Sequence, residues 1–384
     1  MNVLLVAHAF PPVFGGVETH LWDVSHELAL RGHRVHCLVG GRPARERFGA
    51  VTVERHPELA VSHLVRARDG LPLEAVDESL LGRLAAVART MTRRFRPDVV
   101  HLHNAHHFAP EPALAFFRAR GRTPLLNTVH DHVGEHLYPG VLHWRWAHTI
   151  YVSRHMLSSL PGNGTPHSVL WPGIDLRPFS PDGPRDGRLA CLEPPVVFHP
   201  ARLLRWKGVE TGLEAFVLLR RRLGRGSLVL CASENVVDDD AEVALLRREL
   251  VERARAAGVS EHVVFLAFER ERIAAAYRAS DVVWYPTVDE EPFGLVPLEA
   301  MACGAPLVVS DSGGMRETVL AEETGLVVPR ARPDALAAAA ERLVRDRTLR
   351  DRLTGAGRRR SRGFDLGRFA GRLEAIYRSA VERA

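Results

Sequence analysis

Val282-Val283-Trp284-Tyr285 is a short apolar run, and after five intervening residues the chain reads Glu291-Pro292-Phe293-Gly294-Leu295-Val296-Pro297-Leu298-Glu299. The run at 282–285 predicts a buried strand, and 296–302 predicts a helix entered through Gly294. Strand, loop, helix is the repeating unit of a helix-covered parallel sheet. One carboxylate, Glu291, falls in the loop; the other, Glu299, falls inside the helix. Gly294 permits close backbone approach, and the free amides of a new helix attract anions such as a diphosphate. Glu299 is suited to a ribose diol and Glu291 to sugar hydroxyls. The plain alternative is a helix start with two solvated acids.

The same unit recurs on both sides of this string. Strands are predicted at 3–7, 35–39, 51–54, 98–102, 125–129 and 149–152, with helices at 18–30, 80–94 and 112–119. A Pro-, Gly- and Asp-rich stretch at 178–184 reads as a linker. Strands then resume at 196–199, 227–231, 263–266, 282–285, 306–309 and 326–328, with helices at 242–256 and 334–344. A last amphipathic helix is predicted at 368–381, with no strand after it. Periodicity is weak over 57–79. The expected architecture is α/β, with two Rossmann-like doubly wound domains at 1–180 and 181–364, and a helix at 365–384 crossing back to the first. Facing domains of this kind offer a cleft at the carboxyl ends of both strand sets.

The 384 residues suffice for two cores. Net charge is +5, with 20 arginines against 16 acids over 1–185 and 31 basic residues against 30 acids over 186–384. That balance, with no recognisable module, excludes a nucleic-acid binder. Among 51 basic residues only Lys207 is lysine. The four cysteines are too widely spaced for a metal or redox pair and read as buried residues of a cytoplasmic protein. No apolar run reaches the ~20 residues of a membrane helix.

Arg202-Leu203-Leu204-Arg205-Trp206-Lys207-Gly208 follows the predicted strand 196–199. A guanidinium fork and an ammonium in such a loop suit a diphosphate. A solvated basic loop explains the arginines equally well, but a generic positive charge in this chain would be an arginine, which singles out Lys207. Phe10-Pro11-Pro12-Val13-Phe14-Gly15-Gly16-Val17-Glu18 joins the first strand to the first helix. Gly15 and Gly16 let backbone approach a phosphate or acceptor, although their spacing is not that of a dinucleotide or Walker loop.

Taken together these strings resemble glycosyltransferase family 4, the retaining nucleotide-sugar transferases of GT-B fold. Gly313-Gly314-Met315-Arg316-Glu317, Thr324-Gly325-Leu326-Val327-Val328-Pro329 and Trp171-Pro172-Gly173-Ile174-Asp175 extend the resemblance along nearly the whole chain. It implies that Arg202 and Lys207 hold the donor diphosphate and that Glu299 binds the ribose. Glu291 and the amides of Phe293, Gly294 and Leu295 would hold sugar and phosphates. His130 would contact the donor sugar near the reacting centre. The implied reaction moves a sugar from a UDP- or GDP-sugar to a hydroxyl acceptor, small, lipid-linked or polymeric, with no metal and no cofactor. A GT-B sugar-nucleotide epimerase and a non-catalytic sugar-nucleotide binder are the alternatives. Pro200-Ala201, Leu266-Ala267-Phe268 and Trp171-Pro172 depart from the family pattern, so the base stays open.

Seven histidines (101, 103, 106, 107, 130, 132 and 136) are expected in loops after two strands, where some line an acceptor cleft and the rest are plain surface residues; a metal site is less in keeping with their spacing. Asp238-Asp239-Asp240 is expected to cap a helix. Arg83, Arg89, Arg93, Arg94 and Arg96 fall on or near one helix. Their face is either solvated or a contact with anionic lipid at the inner membrane surface.

Overall fold

The computed structural model describes residues 1–13, 15–68, 72, 75–131, 137–160, 164–232, 240–270 and 272–384. The chain divides into two units, Met1–Gly173 with Leu366–Ala384, and Ile174–Asp365.

The first unit carries β1 (Asn2–Ala7), β2 (Arg34–Gly40), β3 (Ala44–Phe48), β4 (Val51–His56), β5 (Val99–His103), β6 (Leu125–Val129), β7 (His148–Tyr151) and β8 (His167–Val169). They form one sheet in the order β3-β4-β2-β1-β5-β6-β7-β8, parallel except for β3 against β4. Along β1 the side chains alternate between two cores. Val3, Leu5 and Ala7 pack with Leu21, Val24 and Phe369 on one face; Leu4 and Val6 pack with Leu84, Leu102 and Phe116 on the other. A strand covered on both faces needs an unbroken apolar run, which is why β1 is so legible.

The second unit carries β9 (Val196–His199), β10 (Ser227–Cys231), β11 (Val263–Leu266), β12 (Val282–Tyr285), β13 (Leu307–Ser310) and β14 (Leu326–Val328). Its all-parallel sheet runs β11-β10-β9-β12-β13-β14. Trp284, on β12, is fully buried with Val197, Phe216, Leu336 and Ala340. In both sheets the strand order reverses once, between β1 and β5 and between β9 and β12. Such a switch point opens a crevice at the carboxyl ends of the strands.

Three expectations change. The stretch 178–184 lies inside the second unit, because Arg278 donates to the carbonyls of Pro178, Ser180 and Pro184 at 3.3, 2.9 and 2.8 Å. The exposed β3 carries no apolar alternation (Ala-Arg-Glu-Arg-Phe), and β8 has only three residues, so neither was expected. Cys191 is exposed, whereas Cys37, Cys231 and Cys303 are buried as read. In the weak region 57–79, a 3-10 turn occupies Pro57–Leu59 and a helix Val61–Arg68. Asp238 and Asp239 lie outside the described residues, and Asp240 opens the helix Asp240–Ala256. The returning helix runs Leu366–Glu382. Gly173 makes room for it: a Cβ there would meet the Leu366 Cα at 2.7 Å.

Candidate active site

In the second unit, the switch point at β9 and β12 gathers the polar groups. The loop after β9 forms a 3-10 turn, Arg205–Lys207, closed by Gly208 at φ 73°. A Cβ on Gly208 would lie 1.9 Å from the Pro286 carbonyl oxygen, so only glycine lets the loops after β9 and β12 touch. The Trp206 carbonyl accepts from Thr287 Oγ1 at 2.7 Å and from the Val288 amide at 2.9 Å, which locks them together.

This contact buries Lys207. Its Nζ donates to Glu291 Oε2 at 2.7 Å and bonds to the Tyr285 hydroxyl, and it sits 3.6 Å from the centre of the Trp206 ring. Tyr285 OH also donates to Glu291 Oε2, at 2.8 Å. Lys207 is 8% and Glu291 7% exposed, so this charge pair stands largely out of water. Burial first, then the Glu291 charge, push the Tyr285 phenol well above its ordinary range. Arg202 acts on that phenol in the opposite sense, and the Glu299 charge in the same sense as Glu291. Arg202 and Glu299 are therefore electrostatic neighbours of the cluster.

Glu291 is fixed from behind. Its amide donates to Ser312 Oγ at 2.8 Å, and its carbonyl accepts from the Gly314 amide at 2.7 Å. A Cβ on Gly314 would lie 2.1 Å from the Pro292 carbonyl oxygen. The Gly313-Gly314 pair thus permits a backbone contact that holds the loop.

The helix Leu295–Ala302 starts at Gly294 (φ 92°), and no side chain caps its amides. Within it Glu299 is buried, its Oε2 accepting from Tyr277 OH at 2.8 Å. The carboxylate is thereby aimed and partly satisfied. The second unit thus presents a buried cation–carboxylate pair, a second oriented carboxylate and an uncapped helix start beyond the carboxyl ends of the central strands β9 and β12. Opposite partial charges so arranged can take a diphosphate and its attached hydroxyls.

In the first unit, Gly15 caps the helix Gly16–Leu30 with no side-chain bond, and Gly16 has open space where a Cβ would stand. His130 follows β6. Its ring shares a hydrogen bond with His103, Nε2 to Nδ1 at 2.8 Å, and its amide donates to Asn104 Oδ1 at 2.7 Å. His103 and His130 stack with ring centres 5.1 Å apart. His101 bonds to Tyr377 OH and to Thr128 Oγ1, both at 2.7 Å. His101 and His103 lie within β5 and point into the fold, so they belong to a buried network and not to a loop lining. Burial holds His20 down to about 4 and His101 to about 3, and lowers His103 and His130 well below the usual range. These rings are neutral at pH 7. Among the described residues no three His, Cys, Asp or Glu side chains are grouped to hold a metal ion; His132 and His136 lie outside them.

Two family profiles match the chain consecutively. "Glycosyltransferase Family 4" matches residues 14–177, and "Glycosyl transferases group 1" matches residues 187–360. The chain belongs to the family 4 glycosyltransferases. A D-inositol 3-phosphate glycosyltransferase from Rhodococcus erythropolis is 28% identical over 96% of this chain and 87% of its own length. A glycogen synthase from Mycobacterium tuberculosis is 29% identical over 99% and 95%. Among solved structures, sucrose-phosphate synthase from Thermosynechococcus elongatus superposes with TM-score 0.79 at 21% identity, covering 100% of this chain and 99% of that one. Anabaena HepE, solved with UDP and glucose, gives 0.73 at 21% identity, covering 98% of each chain. The fold is that of the GT-B enzymes, and the chain is a glycosyltransferase that uses sugar-nucleotide donors.

For this glycosyltransferase, Lys207, Glu291, Glu299, Phe293, Gly294 and Leu295 are carried by the segments that follow the central strands β9 and β12, with Arg202 within electrostatic reach. His130, Gly15 and Gly16 belong to the first unit. Two tyrosines in direct contact with the charged residues escaped the sequence reading. Tyr285 is the last residue of β12 and Tyr277 lies on the helix Ile273–Ala279. The one signal that would have marked Tyr285 is its position at the end of a strand at a switch point. Tyr277 had no such signal.

Proposed function

We propose that the enzyme transfers a hexose from a UDP- or GDP-sugar to a hydroxyl acceptor, with retention at the anomeric carbon and without a metal. The observation that carries this reading is the buried Lys207–Tyr285–Glu291 cluster beside an uncapped helix start. Glycosyl transfer builds negative charge on the departing diphosphate. Lys207, Arg202 and the amides of Phe293, Gly294 and Leu295 stabilise that charge by preorganised electrostatics, the task a divalent ion would otherwise perform. Glu299, aimed by Tyr277, binds the ribose diol, and Glu291 binds sugar hydroxyls. Arriving phosphates compete with Glu291 for Lys207, so the carboxylate is released toward the sugar as the donor docks. Gly15 and Gly16 leave room for substrate beside a helix start in the first unit. His130, kept neutral, offers an uncharged hydrogen bond to a substrate hydroxyl.

The retaining course is taken from the family resemblance: with no covalent nucleophile assigned, the acceptor oxygen attacks the anomeric carbon on the face from which the diphosphate departs, and the departing phosphate takes the acceptor's proton. The test is a screen of UDP-, GDP-, ADP- and TDP-sugars by thermal shift, since a ligand of the native state raises its stability. Turnover of the best donor in excess EDTA follows, with the product's anomeric configuration read by NMR. Activity lost in EDTA and restored by a divalent ion refutes metal independence. An inverted product refutes retention, and an epimerised donor without acceptor refutes transfer.

A further inference from the structure

The first unit holds a cavity of about 300 Å³ lined by Arg34, His36, Arg45, Arg47, Thr52 and Arg94, with Phe95 at its wall. It lies where β2 and β4 begin. The loops carrying Gly15, Asn104 and His130 leave the opposite, carboxyl ends of the strands. The register explains how four guanidinium groups converge. His36 pairs with Thr52, Thr52 pairs with Arg47, and Arg45 pairs with Glu54 one step further along the hairpin. Arg34 begins β2 and stacks over Phe95, 5.1 Å from the ring centre. Arg94 comes from the last turn of the helix Glu78–Phe95.

The charges here are poorly balanced. Glu54 pairs with Arg94 and stands 3.5 Å from His36 Nε2. Arg47 donates to the Gly49 carbonyl at 3.2 Å. Neither Arg34 nor Arg45 forms an ion pair among the described residues. Four cations therefore face one carboxylate. His36, which lines the cavity, is 4% exposed, and its buried Nε2 makes no hydrogen bond, with Glu54 Oε2 at 3.5 Å beside it. A buried polar atom normally has one.

We propose that this cavity binds a phosphate-bearing ligand, its oxygens taken by the forks of Arg34, Arg45, Arg47 and Arg94 and by His36. Guanidinium forks match phosphate oxygens two at a time. The volume exceeds one phosphate, so it fits a diphosphate or a phosphomonoester with part of its carrier. A free phosphorylated compound and a lipid phosphate headgroup share this chemistry. The proposal is independent of the donor site.

The test compares the wild-type chain with Arg45→Ser/Arg47→Ser. Both positions are exposed, and an unchanged melting temperature checks the fold. A control pair, Arg89→Ser/Arg93→Ser, makes the same charge change outside the cavity. Pyrophosphate is titrated by calorimetry, and vesicles with and without phosphatidic acid are sedimented with each protein. We expect at least tenfold weaker binding in the cavity variant and no change in the control. Loss confined to pyrophosphate identifies a free ligand; loss on phosphatidic acid vesicles identifies a lipid headgroup. Superposable binding by the cavity variant and wild type in both assays overturns the proposal. Equal weakening in the control overturns it too, because bulk charge then accounts for the effect.

Discussion

Replacing Lys207 by Met separates the structural and the catalytic work of the buried cluster. Nζ lies 2.7 Å from Glu291 Oε2, with both residues under a tenth exposed. At an effective dielectric of 20 that separation corresponds to about 6 kcal/mol of attraction, much of it offset by the desolvation of both ions. Removing one partner leaves the other charge buried and uncompensated, which costs about 3–5 kcal/mol. For a unit of this size each kcal/mol lowers the melting temperature by about 2–4 °C, so Lys207→Met should melt about 6–20 °C lower. The double variant Lys207→Met/Glu291→Gln removes both charges and should recover most of that loss. Sugar transfer should stay at least about 10²-fold reduced in both variants, since a contact with developing charge is gone. Calorimetry and initial rates with the best donor measure the two effects. A single variant as stable as wild type refutes the buried pair. A double variant with near-native turnover refutes the role of Lys207 at the diphosphate.

Three further outcomes are expected. Lys207→Arg should lose at least about tenfold in turnover, because a planar fork does not replace a point charge between Tyr285 OH and Glu291 under the Trp206 ring; full activity would remove the argument from lysine scarcity. Gly208→Ala and Gly314→Ala should each cost about 1–3 kcal/mol or more, since their Cβ atoms would meet carbonyl oxygens at 1.9 and 2.1 Å; urea titration reads this, and unchanged midpoints would contradict the packing. Stability should also fall below pH 6.5. His8 and His20 are held down to about 4, and His101 and His106 to about 3, mainly by burial. They stay neutral when folded, while the unfolded chain takes up their protons near pH 6.5. Their contribution is complete above 6.5 and is lost toward pH 3–4, at most about 1.4 kcal/mol per histidine per pH unit. Glu374, held down to about 2 chiefly by Arg31, contributes in full above about pH 4.5, and that contribution is lost only as the pH falls from there toward 2. Equal unfolding free energies at pH 7.5 and 5.5 would mean that these rings are hydrated.

The six strands of the second unit were all legible because each is dominated by apolar residues, and the four inner ones, β9, β10, β12 and β13, are buried along their whole length. β3 was not, since an exposed edge strand needs no apolar pattern. The charged residues of the site were legible for a similar reason: loops after strands at a switch point are where a ligand sits, and a lone lysine among fifty arginines stands out. The tyrosines were not. Tyr285 meets Lys207 across 78 positions, and Tyr277 meets Glu299 across 22. The arginine cavity depends likewise on hairpin register and on one helix end.

Residue order decided the alternation of strands and helices, the places where the chain can turn, and which side chains follow each strand. These are local properties, set by periodicity and backbone freedom over a few residues. The folded arrangement decided which of those side chains lose their water together. It set Lys207, Tyr285 and Glu291 within hydrogen-bond reach, turned the histidines of β5 inward as neutral rings, and left four arginines facing one carboxylate. Burial and charge act through space, so their outcome depends on distances that no stretch of chain contains.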